Sequence, residues 1–70
     1  MLHIIKIKGT KKIPDFVQIR DSNLSLRAYF RVDQIEKGLK KNNINDKQGK
    51  LMEHIQSIPF GKIFKFNENE

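Results

Sequence analysis

The chain has 70 residues, a formal net charge of +6, hydrophobic residues at 37% of its positions, and no cysteine. This length allows one hydrophobic core of modest size, and the lack of cysteine excludes disulfide frameworks, thiolate metal sites and thiol catalysis. The first residues lack the pattern of a signal peptide and no apolar run approaches a membrane span, so a cytoplasmic protein without a membrane partner is expected.

A first strand is predicted over residues 2–8, where isoleucines and polar residues alternate after the start. The alternation assigns two residues to the core and three to the opposite side: Ile5 and Ile7 inward, Ile4, Lys6 and Lys8 outward. Residues 9–14 contain glycine and proline, which end a strand because one frees the backbone and the other removes a hydrogen-bond donor. The predicted loop presents Lys11 and Lys12 side by side.

Two further strands with a tight turn between them are predicted next. Residues 15–20 alternate, with Val17 and Ile19 on the core side. The segment Asp21-Ser22-Asn23 is typical of a hairpin turn, because aspartate and asparagine hydrogen-bond to their own backbone and tolerate positive φ. Residues 24–32 offer every even residue to the core and the odd ones to the other face: Leu24, Leu26, Ala28 and Phe30 against Arg27, Tyr29 and Arg31.

The hydrophobic period becomes helical after residue 32. Asp33 with Glu36 three residues later resembles a capping box, and Ile35 and Leu39 lie one helical turn apart. The Asn42-Asn43 pair ends this helix, because asparagine accepts the left-handed conformation found at helix ends.

A second helix and a last strand complete the chain. Asp46 is predicted to cap the helix and Pro59 to end it. Its apolar face contains Leu51, Ile55 and Ile58. Residues 60–66 alternate again and predict a strand with two distinct sides, Phe64 with Phe66 and Ile63 with Lys65.

The order of predicted elements (β-β-β-α-α-β) defines a small α+β domain. Residues 1–66 form a mainly antiparallel four-stranded sheet with two short helices on one face, and residues 67–70 form a flexible acidic tail. If the last strand returns beside the first, the strand order is four, one, two, three. The predicted core contains Ile5, Ile7, Val17, Ile19, Leu26, Ala28, Phe30, Leu39, Leu51, Ile55, Phe64 and Phe66.

Positive charge is concentrated in the strand-rich half of the chain. Residues 1–31 hold seven Lys or Arg against two Asp, a balance of +5, whereas residues 32–70 hold seven against six acidic residues, a balance of +1. Rings interleaved with arginines on an open sheet suit single-stranded nucleic acid, because bases stack on rings and phosphates meet the charges. The predicted binding residues are Lys11, Lys12, Phe16, Arg20, Arg27, Tyr29 and Arg31.

Two other interpretations of this outer face stay open. An antiparallel sheet with one covered face keeps its other face polar without any ligand. Alternatively, a protein partner or a second copy of the chain in a homodimer would cover Ile4 and Phe16, both assigned outward, and tyrosine and arginine are enriched in interface hot spots. The sequence does not distinguish RNA from DNA.

No catalytic or metal-binding pattern occurs in the sequence. His3 and His54 lie on different predicted elements, without a paired-ligand spacing. Glu53, His54 and Ser57 have the composition of a triad, but adjacent side chains on a helix do not face each other. We therefore expect a non-catalytic binding module with no cofactor and no metal.

Overall fold

The structure is a computed structural model that describes residues 1–67. The strands are β1 (Leu2–Ile7), β2 (Phe16–Arg20), β3 (Leu26–Arg31) and β4 (Ile63–Phe66), and the helices are α1 (Ile35–Lys41) and α2 (Lys50–Ser57). A short 3₁₀ turn precedes each helix, at Val32–Gln34 and at Lys47–Gly49. Residues 68–70 of the predicted tail lie outside the described residues.

The four strands form one antiparallel sheet in the order β3-β2-β1-β4. The last strand therefore returns beside the first, and the predicted α+β architecture is confirmed. The hairpin between β2 and β3 is also confirmed, since one carboxylate oxygen of Asp21 accepts the backbone N–H groups of Asn23 at 2.9 Å and Ser25 at 3.0 Å. These bonds fix where the chain reverses.

The hydrophobic core brings together the inner face of the sheet and the helices. Leu2, Ile4, Val17, Ile19, Leu51 and Ile55 are its largest fully buried side chains. Each side chain of this kind contributes about 1.5–3 kcal/mol by leaving water. Phe64 and Phe66 are partly buried against this core, on the side of β4 that the alternation predicts.

Strand β1 presents the opposite side from the one predicted. Ile4 pairs with Ile19 and Lys6 pairs with Val17, and paired residues share a face of the sheet. Ile4 and Lys6 therefore point inward, and the predicted core positions Ile5 and Ile7 point outward. The prediction fails because isoleucine on both sides of the strand leaves its orientation undefined until the register with β2 decides it.

A β-bulge at the start of β3 turns Leu26 out of the predicted core. Ile19 pairs with Ala28 but Arg20 pairs with Leu26, so Arg27 is an extra residue in β3. Leu26 is 55% exposed as a result. Leu24 lies before the strand with a φ of 64° and is also exposed, at 56%. Only Ala28 and Phe30 fill the core from this strand.

Helix α1 begins differently from the prediction and ends as predicted. Asp33 does not cap it, because this residue lies in the preceding 3₁₀ turn and its carboxylate accepts a hydrogen bond from Arg31. At the other end, Asn43 adopts a left-handed φ of 58°. Asn42 donates its side-chain amide to the carbonyl of Gly38 at 2.8 Å and so satisfies an acceptor of the last turn.

Asp46 contacts the first turn of helix α2, as predicted, but it is not the N-cap residue, which is Gly49, because the helix begins only at Lys50. The carboxylate of Asp46 accepts the backbone N–H groups of Leu51 at 2.7 Å and Met52 at 3.0 Å. The intervening chain turns through positive φ at residues 48 and 49. Asp46 therefore satisfies two N–H groups that have no partner within the helix.

Candidate functional site

The candidate site is the outer face of the sheet, opposite the helices. Strand pairing places eleven side chains on it: His3, Ile5 and Ile7 from β1, Phe16, Gln18 and Arg20 from β2, Leu26, Tyr29 and Arg31 from β3, and Ile63 and Lys65 from β4. The four strands, all within the described part of the chain, contain no acidic residue. The outer face is therefore cationic, with apolar side chains between its charges.

Phe16 and Tyr29 form a stacked pair on this face. Their ring centroids are 4.7 Å apart and the ring planes differ by 3°. The two residues are diagonal neighbours across β2 and β3, a position from which aromatic side chains reach each other. Tyr29 is 51% exposed and lies on an edge strand. About half of the Tyr29 surface is therefore accessible to a ligand.

The predicted arginines lie at both ends of the stacked pair. Arg31 pairs directly with Phe16 and donates a hydrogen bond of 2.8 Å to the carboxylate of Asp33. Both side chains of this ion pair are largely exposed, so it contributes less than about 1 kcal/mol and competes weakly with another anion. Arg20 lies toward the hairpin and donates to the carbonyl of Leu24 at 2.8 Å. Arg27 is exposed at the bulge.

Lys11 and Lys12 lie in the loop between β1 and β2 and are both exposed. The hydroxyl of Thr10 accepts backbone N–H groups from Lys12 at 3.3 Å and from Ile13 at 3.2 Å, which shapes the loop. The loop leaves the sheet where Ile7 pairs with Phe16. These lysines are therefore at the Phe16 end of the sheet, remote from Arg20 at its other end.

The outer face is more apolar than the sequence predicts. Ile5, Ile7 and Ile63 form what we call the aliphatic half, on β1 and β4, and Phe16, Arg20, Tyr29 and Arg31 form the aromatic half, on β2 and β3. Ile63 is 63% exposed and Ile7 is 39% exposed. The alternation of β4 identifies Ile63 as outward, but the sequence contains no signal that places Ile5 and Ile7 there.

Lys6 does not contribute to the outer face. Its residue surface is 6% exposed, and its ammonium group lies 3.5 Å from the carbonyl oxygen of Gln56 and 4.8 Å from the ring centroid of Phe60. The aliphatic stem fills the core margin, and the carbonyl and the ring stabilise the charge. Lys8 also lies over Phe60, at 5.0 Å, but follows the end of β1.

The histidines make contacts within the fold. The hydroxyl of Ser57 donates to the backbone carbonyl of His54 at 2.9 Å, and the His54 ring packs against Phe66 with centroids 5.1 Å apart. His3 lies 3.2 Å from the carbonyl oxygen of Asp21 through Nδ1. Across residues 1–67, no group of three His, Cys, Asp or Glu residues is arranged to hold a metal ion.

The fold and the open face define a small α+β domain with a cationic, partly aromatic sheet surface. Within the described residues, no helix has the length and apolar character required to cross a membrane. No protein-family model, curated protein or solved structure matches the chain.

Proposed function

We propose that this chain is a non-catalytic cytoplasmic module that binds single-stranded nucleic acid through the aromatic half of its outer face. The observation that carries the proposal is the stacked Phe16–Tyr29 pair with Arg31 beside it, on a face whose strands contain no acidic residue. Bases stack on such rings whatever their sequence, and guanidinium groups contact the phosphates between them.

In this proposal the residues of the aromatic half have separate roles. The exposed part of the Tyr29 ring receives a base, and Phe16 supports the ring, with the two centroids 4.7 Å apart. Arg31 and Arg20, at opposite ends of β2 and β3, contact phosphates on either side of the stacked base. Lys11 and Lys12 extend the positive potential beyond the Phe16 end and strengthen binding at low salt.

The test is a fluorescence anisotropy titration with labelled single strands of RNA and DNA, about ten nucleotides long, which is a length that one small domain covers. Tyr29→Ala removes the stacking ring, and Tyr29→Phe is the matched control because it retains the ring without the hydroxyl. Loss of one stacked base weakens binding by about 1–3 kcal/mol, or about 5- to 150-fold, in the alanine variant alone.

Two results would contradict the proposal. The first is no measurable binding by the wild-type chain at low salt, where phosphate contacts are strongest. The second is equal affinity of Tyr29→Ala and Tyr29→Phe for the same strand, which would show that the ring does not contact a base. Circular dichroism of both variants checks that they are folded.

A second candidate is a protein interface, including a homodimer, and it is favoured by the aliphatic half. Three isoleucines, Ile5, Ile7 and Ile63, are adjacent on an open face, and a partner that covers them removes apolar surface from water. Light scattering distinguishes this function, since a dimeric mass that becomes monomeric in Ile63→Lys supports it. A monomeric mass at all concentrations contradicts the homodimer. Electrostatic repulsion also disfavours a homodimer, because it would bring two positively charged faces together.

A further inference from the structure

A groove runs along the free edge of β3, between that strand and α1. It has a volume of about 490 Å³ and is lined by Tyr29 and Arg31 from the strand and by Lys37, Gly38 and Lys41 from the helix. Tyr29 and Arg31 belong to the outer face as well. The groove is therefore continuous with the aromatic half. A single-stranded nucleic acid with a base stacked on Tyr29 would reach the groove without leaving the protein surface.

The two lysines of the groove have no acidic partner, whereas Arg31 is paired with Asp33. Lys37 and Lys41 are four residues apart on α1, so they are neighbours on the helix surface, where like charges disfavour the helix by about 0.2–0.5 kcal/mol. Within residues 1–67, neither lysine side chain makes a hydrogen bond or an ion pair, and no Asp or Glu lines the groove. An anion between them would remove this repulsion.

Lys40 shows the contrast on the same helix. Its ammonium group lies 3.4 Å from the carboxylate of Glu36, and it lines the open space on the other side of α1. On α1, the Lys40 side chain is therefore paired with a carboxylate, whereas the side chains of Lys37 and Lys41 are not. Lys37 and Lys41 both line the groove beside β3, and Lys37 also borders the open space lined by Asp33, Glu36 and Lys40.

Gly38 allows α1 to approach β3 closely enough to form the groove. A Cβ atom at this position would lie 2.3 Å from Cγ of Phe30, well inside van der Waals contact. The helix consequently rests on the Phe30 ring, and the lysines one residue before and three residues after Gly38 lie beside the strand edge. The edge position of β3 also leaves backbone donors on that side without a strand partner.

We propose that Lys37, Lys41 and Arg31 bind the phosphodiester backbone of the single strand whose base stacks on Tyr29, an inference that rests on the proposed function. The outer face stacks on a base of the nucleic acid. The groove at the β3 edge contacts its phosphates and so holds it in place. The acid-free lining and its continuity with Tyr29 favour a nucleic-acid strand over an acidic peptide, which has no bases to stack.

The experiment measures the affinity for a labelled single-stranded RNA at several salt concentrations. Each lost phosphate contact reduces the slope of log K against log salt by about 0.7, so Lys37→Gln/Lys41→Gln is expected to reduce it by about 1.4. The control is Lys40→Gln/Lys50→Gln, which removes the same charge from helical positions outside the groove and leaves the slope within about 0.3 of the wild-type value. Tyr29→Ala is expected to weaken binding with little change of slope.

The outcomes separate this inference from the proposed function. Equal slope changes in the two double variants would contradict phosphate binding in the groove. They would leave the proposed stacking on the outer face standing if Tyr29→Ala still weakens binding. No binding by the wild-type chain overturns both. Polyglutamate that binds as tightly as RNA, with the same dependence on Lys37 and Lys41, overturns the assignment to a nucleic-acid backbone.

Discussion

The inner and outer faces of the sheet contain similar residue types but place them in different surroundings. Both hold isoleucine and both hold cations. On the inner face Ile4 is fully buried and Lys6 is 6% exposed, whereas on the outer face Ile63 is 63% exposed. The Arg31 side chain on the outer face forms an ion pair with Asp33, which is exposed. Surroundings rather than composition therefore decide which residues stabilise the fold and which can bind a ligand.

Strand β1 shows this difference within six residues. Polarity alone would place Lys6 outside and the isoleucines at 5 and 7 inside. The opposite arrangement holds because the register with Val17 and Ile19 buries every even residue of β1. A long lysine stem tolerates an inner position when its ammonium group reaches a carbonyl and an aromatic ring.

The largest expected effect is a loss of stability on the inner face. Ile4→Ala is expected to lower the free energy of unfolding by about 2–5 kcal/mol, because the substitution would leave a cavity where the Ile4 side chain is fully buried. Ile5→Ala, its neighbour on the outer face, should cost less than about 1.5 kcal/mol. Urea denaturation followed by circular dichroism measures both. A larger loss of stability for Ile5→Ala than for Ile4→Ala would contradict the assignment of Ile4 to the inner face and Ile5 to the outer face.

The second-largest expected effect is a loss of stability at the contact between α1 and β3. Gly38→Ala is expected to destabilise the chain by about 1–3 kcal/mol through overpacking against Phe30, even though alanine favours a helix by about 1 kcal/mol. Thermal unfolding measures the change. The double variant Gly38→Ala/Phe30→Leu should be more stable than the sum of the single effects predicts. A Gly38→Ala variant as stable as wild type would contradict the close approach.

The smallest expected effect is at the buried cation. Lys6→Met should keep the free energy of unfolding within about 1 kcal/mol of the wild-type value, because methionine fills the space of the stem and requires no hydrogen bond. It should also leave the salt dependence of RNA binding unchanged. The matched outer-face variant Arg31→Gln should reduce the salt slope by about 0.7. Equal slopes for wild type and Arg31→Gln would remove this distinction between the faces.

Local chemistry explains the parts of the fold that the sequence predicts. Asp21, Asn43 and Asp46 act through bonds or backbone angles within a few residues, and their turn, helix end and contact with the first turn of α2 follow from residue type. Pairing across distant segments explains two of the features that the sequence does not predict, whereas Asp33 fails to cap α1 because of its contact with nearby Arg31. The inward side of β1 depends on its partner β2, and the exposure of Leu26 depends on a bulge that no residue type at that position requires.

The same distinction applies to the candidate site. Alternation along β3 predicts that Tyr29 and Arg31 are outward neighbours, and the structure places them so. The stack with Phe16 requires the register of β2 against β3, and the groove requires α1 to cross beside β3. Lys37 and Lys41 therefore resemble any solvent-exposed lysines in the sequence, and only the fold brings them to Tyr29.

The most direct measurement is a two-dimensional amide NMR titration of the labelled chain with short single-stranded RNA and DNA, at low and moderate salt. Binding on the outer face predicts shifts concentrated on β2 and β3 and on residues 37–41, and these shifts should shrink as salt rises. Shifts that are absent at low salt, or that are confined to β1 and β4 and insensitive to salt, would contradict nucleic-acid binding. The latter pattern would instead identify the aliphatic half as a protein interface.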